Sequence, residues 1–151
     1  MSFSTIRKAL SKDVPIIMEL VKELAIFEKA PDEVTNTIEM MREDGFGINK
    51  IFDAFVAEHN GQIIGVAITY YRYSTWKGKC LYLEDLIVTE EHRGKGAGKQ
   101  LFNHCIDFAK EQHCKKMIWQ VLDWNTPAID FYKQYGAHLD GEWINGSLDL
   151  S

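Results

Sequence analysis

Apolar residues recur along this chain at two different periods, and the alternation between them sets out the elements. Phe3 to Lys8 reads as a short first strand. Val14, Ile17, Met18, Val21, Leu24 and Ala25 then form one stripe at helical spacing that runs through to Phe27, a core face. Asp13 or Ser11 is placed to cap that helix, with Pro15 in its first turn. Pro31 breaks the stretch from Glu28 to Asp32, and a shorter helix is expected from about Thr35 to Arg42, ending before Asp44, Gly45, Phe46 and Gly47. Phe52 to Glu58 and Gln62 to Tyr73 read as a hairpin about His59, Asn60 and Gly61. After the turn Trp76 to Lys79, a strand is expected from Cys80.

That strand, Leu81 to Val88, is the most apolar and carries two carboxylates. Strict alternation puts Leu81, Leu83, Asp85 and Ile87 on one face and Tyr82, Glu84, Leu86 and Val88 on the other. Burying an ion without a partner is costly, so Glu84 and Asp85 need a reason to be there. On this alternation Asp85 faces away from Glu84 and is assigned a structural role. The chain then turns through Gly94, Gly96 and Gly98, and Leu101, Phe102, Cys105, Ile106 and Ala109 resume helical spacing. A helix that starts in glycines offers free N–H groups and a positive dipole end, and Arg93 and Lys95 add charge. Lys116 to Val121 reads as the next strand. Thr126 reads as the N-cap, with Pro127 at the first position, of a helix carrying Ile129, Phe131 and Tyr132 that stops at Gly136, and Ala137 to Leu150 reads as a final strand pair. The order is β-α-α-β-β-β-α-β-α-β-β, a mixed α/β sheet flanked by helices.

Composition narrows the class. The 151 residues, 46% of them hydrophobic, suffice for one domain spanning the whole chain. A net charge of −5 and a pI near 5.5 argue against a nucleic-acid surface and favour a cationic partner. Cys80, Cys105 and Cys114 are odd in number and read as reduced thiols of a cytoplasmic protein. No signal-peptide pattern and no run of membrane-spanning length is present in the sequence. The five histidines have no metal-ligand spacing, so no metal is expected.

The glycine turn is neither a P-loop nor a dinucleotide fingerprint. Arg93 stands where a P-loop needs its first glycine, and Lys99 or Leu101 falls where a dinucleotide site needs its third. What remains is Arg-x-x-Gly-x-Gly, read as Arg93, Gly96 and Gly98 behind a strand ending in Val88. On these residues alone it is either an anion site or a glycine-rich surface turn capping a helix. The pattern resembles the pyrophosphate loop of the GNAT superfamily of N-acetyltransferases, and the element order is that of the acyl-CoA N-acyltransferase fold. The resemblance implies a sheet splayed between the central strand and the one after its helix, with acetyl-CoA as cofactor. Leu86, Ile87 and Val88 then offer backbone contacts to the acetyl and pantetheine groups. Arg93, Gly94, Lys95, Gly96, Ala97, Gly98 and Lys99 hold the pyrophosphate, and Asn125, Ala128 and Tyr132 contact the cofactor from the other side.

Glu23-Leu-Ala with Phe27 and Glu28, Asp44 to Gly47, Tyr82 to Asp85, and Asp123 to Asn125 with Phe131 and Tyr132 look like the spermidine/spermine N1-acetyltransferase family. Tyr73 to Gly78 and Val121 to Asn125 look most like its thialysine Nε-acetyltransferase branch. Polyamine acetylators carry an acidic residue where Ser74 stands, so the resemblance points away from efficient polyamine acetylation. The Asn60–Gly61 hairpin also replaces a longer loop. By the same carry-over Phe27, Glu28, Glu84 and Trp119 line the channel for a small cationic amine, and Tyr132 is the general acid. The family's dimers make a homodimer the expected state, with Tyr70, Tyr71, Tyr73 and Trp76 as interface candidates; the alternative is that these aromatics cover the sheet in a monomer.

The chemistry follows from residue types. An amine must be neutral to attack, and a carboxylate beside it binds the cation and accepts its proton directly or through water. Glu84 is the candidate; otherwise it is an ion-pair partner. A backbone N–H of Leu86 or Ile87 can stabilise the oxyanion. Tyr132 is expected near the start of its helix, where the dipole favours a readily donating phenol; the alternative is a packing aromatic. Two other readings stay open: another acceptor, such as a protein amine or an aminoglycoside, or a sensor that binds acetyl-CoA without turnover.

Overall fold

The computed structural model describes residues 3–150. It divides into a larger compact unit ending at Gln120 and a smaller one starting at Val121.

The larger unit is built on a five-stranded sheet among the described residues. Its strands are β1 (Thr5–Lys8), β2 (Asp53–His59), β3 (Gln62–Ser74), β4 (Gly78–Val88) and β5 (Lys116–Trp119), in that spatial order. The first four are antiparallel neighbours, and β5 joins β4 in parallel. The parallel step requires a crossover, supplied by helix α3 (Ala97–Glu111). Helices α1 (Val14–Phe27) and α2 (Ile38–Phe46) cover the other face. There Val14, Ile17, Met18 and Leu20 pack with Ala54, Val56, Val66, Ile68 and Ile87 in one buried cluster. Of the helical stripe read from sequence, Val14, Ile17 and Met18 lie in that cluster and Val21 and Leu24 pack against it, whereas Ala25 is outside it, the buried Leu20 is absent from the stripe, and Phe27 at the end is 40% exposed. On the α3 face Leu101, Phe102 and Cys105 are buried.

Several boundaries differ from the sequence reading. Asp13 does not cap α1 through the helix's own N–H groups: its carboxylate accepts from Leu10 N at 2.7 Å and pairs with Arg7 at 2.8 Å. The α2 helix starts later, because Thr37 Oγ1 accepts from Met40 N. It also runs on through Gly45, where a Cβ would sit 2.2 Å from the ring of Phe52. Glycine is retained there for packing, and its low helix propensity is overridden by that contact. The hairpin turn is as expected, Asn60 and Gly61 both taking the positive φ of a tight turn.

The smaller unit holds helix α4 (Thr126–Lys133). Its cap is Asn125, whose Oδ1 accepts from Ala128 N at 3.3 Å, so Thr126 is the first helical residue and not the cap. The expected final strand pair does not form: 137–150 contain no strand. Gly141 and Gly146 cut the segment into short runs, Trp143 and Ile144 are adjacent instead of alternating, and both are largely exposed. Glu142 N is taken by Asp140 Oδ1, a local bond that competes with a ladder.

Candidate active site

The pairing of β3 with β4 is irregular at one place. Thr69 pairs with Leu83, while Ile68 pairs with Asp85, so Glu84 is an extra residue in β4. Such a bulge ends the strict alternation and re-aims the side chains beyond it. Asp85 thereby shares a face with Ile68 and Tyr70, the face covered by α1 and α2. Glu84 turns the same way, and the Tyr70 hydroxyl donates to its Oε1 at 3.0 Å. The sequence reading put the two carboxyls on opposite faces; the bulge puts them on one.

Glu28, the residue after α1, joins them electrostatically. Burial raises the Asp85 carboxyl to about 7, and the negative charges of Glu84 and Glu28 add to the rise. Glu28 is itself raised by burial. Among the described residues none of these three carboxyls has an ion-pair partner. Tyr70 is pushed up to about 12 by burial and then by Glu84, so its phenol remains a donor.

Beyond Leu83, β4 has lost its neighbour on the β5 side. The two strands pair only from Cys80 with Lys116 to Leu83 with Trp119. Leu86, Ile87 and Val88 therefore have no β5 ladder, as the expected splay requires. The chain continues from Val88 through a 3-10 turn, Glu90–His92, into the glycine segment. Glu23 on α1 holds the start of that turn, accepting from Thr89 Oγ1 at 3.2 Å and from Glu90 N at 3.1 Å. Gly94 and Gly96 have φ of 79° and 92°, and Gly96 caps α3. No atom lies within 4 Å of a Cβ built at either, so glycine is required by backbone conformation and the space above it is open. The first donor inside α3 is Gln100 N, on Gly96 O, which leaves Ala97, Gly98 and Lys99 to present their N–H groups forward.

Arg93 folds back on this junction. Its Nε donates to Val88 O at 2.9 Å, and its guanidinium carbon lies 5.7 Å from the centre of the Phe27 ring. Lys95 reaches over Phe3, 5.9 Å from that ring. The open edge of β4, the forward N–H groups and two nearby cations fit an extended ligand ending in a pyrophosphate.

The remaining residues are placed as follows. Phe27, Glu28 and Glu84 stand on the α1 side. Trp119 does not: its register with Leu83 puts it on the α3 face, edge-on to Phe102 at 5.3 Å. In the smaller unit Tyr132 is buried, 5.4 Å from Phe131, and occupies the last turn of α4. The positive dipole end expected to favour its proton donation is at Thr126, nearly two turns away, so the helix dipole does not assist Tyr132. Ser74 Oγ accepts from Trp76 N and Lys77 N, which gives it a turn-forming task. Sequence reasoning missed Tyr70 as the partner of Glu84, and Glu23 as the anchor of the loop. The available signal was the succession Glu84-Asp85 in an apolar strand, which strict alternation cannot accommodate without stranding one carboxyl in the core.

A mixed sheet with an abandoned strand edge, ending in a glycine loop and helix, defines an acyl-transfer scaffold. The model of the Acetyltransferase (GNAT) family matches residues 18–137, and the chain belongs to that family. It is 38% identical over 145 residues to the thialysine N-epsilon-acetyltransferase of Bos taurus, covering 91% of this chain and 85% of the relative. It is 36% identical over 144 residues to the spermidine/spermine N(1)-acetyltransferase-like protein 1 of Homo sapiens, covering 91% of this chain and 21% of that one. Among solved structures, an aminoglycoside acetyltransferase from an uncultured soil metagenomic sample, in complex with sisomicin, superposes with a TM-score of 0.79 at 19% identity. That match covers 99% of this chain and 97% of the other. The protein is an N-acetyltransferase that transfers acetyl to an amine.

Proposed function

We propose that this enzyme moves the acetyl group of acetyl-CoA to the primary amine of a small cationic acceptor, thialysine or a related diamine or polyamine, by direct attack in a ternary complex. The observation that carries the reading is the set of carboxyls Glu28, Glu84 and Asp85 on one face, none of them ion-paired among the described residues, beside the edge of β4 that β5 leaves. An acidic face of this kind attracts an ammonium. The name of the relative from Bos taurus supports the same acceptor class.

Acetyl-CoA supplies the thioester as donor substrate. Arg93, Gly94, Lys95, Gly96, Ala97, Gly98 and Lys99 hold its pyrophosphate, and Leu86, Ile87 and Val88 its arm, with a Leu86 or Ile87 N–H facing the developing oxyanion. Asn125, Ala128 and Tyr132 add cofactor contacts. Phe27, Glu28 and Glu84 bind the acceptor; Glu84 takes the ammonium proton, and Tyr132 protonates the leaving thiolate. Trp119, read from the family as a channel residue, supports the strand end from the α3 side instead.

Both units serve one catalytic domain, a reading supported by a family match that runs across the boundary between them. The assembly is a homodimer through Tyr71, Tyr73 and Trp76, supported by their exposures of 45, 74 and 89%. Three free cysteines support a cytoplasmic setting. Release of CoA thiol with thialysine, lysine and spermidine side by side tests the function. Turnover with thialysine and little with spermidine is expected; binding of acetyl-CoA without turnover on any of the three amines would overturn it.

A further inference from the structure

We propose that Phe3 and Ser4, the residues just ahead of β1, are positioning residues for acetyl-CoA: they clasp the glycine loop and the first turn of α3 in the shape that receives the pyrophosphate. The inference rests on the cofactor reading above and goes beyond it, because that reading names only groups that touch the ligand.

The glycine loop needs such a hold. Gly94 and Gly96 have positive φ, and no atom lies within 4 Å of a Cβ built at either, so side-chain packing restrains the backbone little at these two positions. Ordering a loop when its ligand arrives subtracts from affinity, and a loop already fixed avoids that loss. Glu23 on α1 restrains the start of the segment through Thr89 and Glu90. Further along, the contacts come from the residues ahead of β1.

Phe3 supplies the first of them. Its ring is stacked on His59 at the end of β2, with centroids 3.8 Å apart and planes 19° from parallel. His59 is itself fixed: Nδ1 donates to Phe3 O at 2.7 Å, and Nε2 lies 3.2 Å from Asn60 Nδ2 in the hairpin turn. Two loop residues rest on this base. His92, the last residue of the 3-10 turn, has its ring 5.8 Å from His59 and 6.0 Å from Phe3. Lys95 Nζ lies 5.9 Å from the centre of the Phe3 ring, so the ring holds the ammonium by a cation–π contact next to the glycines.

Ser4 holds the helix side. It is buried and exchanges two hydrogen bonds with Gln100: Ser4 Oγ donates to Gln100 Oε1, and Gln100 Nε2 donates to Ser4 O at 3.0 Å. Gln100 is also the residue whose N–H closes the first bond of α3, on Gly96 O. Fixing its side chain fixes the turn from which the Ala97, Gly98 and Lys99 N–H groups point forward. The ladder of β1 begins at Thr5, so all these contacts are additional to the sheet. Two adjacent residues thus secure a loop cation and a helix turn far from them in sequence.

The test compares the affinities of CoA and of pantetheine, the same arm without pyrophosphate or nucleotide, by calorimetry. It uses wild type, Phe3→Leu, Phe3→Tyr and Gln100→Leu. Leucine keeps an apolar side chain at Phe3 without the π face, and tyrosine keeps both. Phe3→Leu and Gln100→Leu are expected to bind CoA about tenfold more weakly, the scale of ordering one residue of backbone. They should bind pantetheine as wild type does, which also shows them folded, and Phe3→Tyr should match wild type throughout. A loss of equal size for CoA and pantetheine overturns the proposal, because the damage then lies in the sheet and not in the loop. Wild-type CoA affinity in either leucine variant overturns it as well. A wild type that binds CoA no more tightly than pantetheine overturns the pyrophosphate reading, and this proposal with it.

Discussion

The Tyr70 hydroxyl donates to Glu84 Oε1 across 3.0 Å, from one strand to the bulge of the next. The bond ties an exposed carboxylate to the sheet, so Glu84 is held in place in advance of any acceptor. Burial raises Tyr70 to about 12, which keeps the donor protonated at neutral pH. Tyr70→Phe is therefore expected to lower kcat/KM for the amine by about tenfold, the low end of what a hydrogen bond to a charged group is worth, because this one is exposed. Glu84→Gln should cost roughly a hundredfold or more, through loss of the carboxylate that takes the ammonium proton. Steady-state kinetics at saturating acetyl-CoA separate the two; equal effects would mean that Glu84 needs no positioning.

Gly96 caps α3 with φ of 92°. Alanine there meets no neighbouring atom, and its penalty is backbone conformation alone, about 1–2 kcal/mol. Gly96→Ala should lower the melting temperature by several degrees and raise the KM for acetyl-CoA far more than the KM for the amine. An unchanged acetyl-CoA KM would remove the glycine turn from the cofactor site.

Asp85 also makes a stability prediction with a defined sign. Its carboxyl is raised from 3.8 to about 7, so between those values the folded protein retains a proton that the unfolded chain has lost. Stability then falls as pH rises from about 4 to 7, and above 7 the folded state bears an ionised, poorly solvated carboxyl. Asp85→Asn removes that burden and should be the more stable protein at pH 8 by about 1–3 kcal/mol, the difference closing towards pH 4. Melting curves across this range check it. A variant less stable than wild type at pH 8 would show that the ionised carboxyl is well accommodated.

Tyr132→Phe tests the general acid separately. Loss of the proton donor to the thiolate should reduce kcat by roughly a hundredfold or more while acetyl-CoA still binds. Measured CoA release at the wild-type rate would leave Tyr132 as a packing aromatic against Phe131.

Glu23 offers a milder case. It accepts from Thr89 and Glu90 and so fixes where the loop leaves β4. Glu23→Leu should raise the KM for acetyl-CoA by about three- to tenfold with little change in kcat, since two hydrogen bonds that position the loop are lost. A fall in kcat alone would place Glu23 in the chemistry instead.

Local pattern determined most of the scaffold. The stripe from Val14 to Leu24, the Asn60–Gly61 hairpin and the glycines before α3 are each specified by residues within a few positions of one another, through helical spacing, turn conformation and backbone freedom. For the same reason the glycine turn was legible down to Gly94 and Gly96, whose positive φ the structure shows. What the tertiary structure decided depends on partners distant in sequence. Whether Asp85 faces with Glu84 or against it is set by the register of β4 on β3, where Ile68 and Thr69 skip one residue. Within Tyr82 to Leu86 the Glu84-Asp85 succession is the one local sign of a bulge that forms only when the neighbouring strand is present. Likewise α2 runs through Gly45 because Phe52 packs on it, and 137–150 stay out of any sheet because no strand pairs with them. The sequence by itself determined a strand, a glycine loop and a helix in a mixed α/β scaffold. Only strand register, a long-range property, brought both carboxyls to the face where α1 ends.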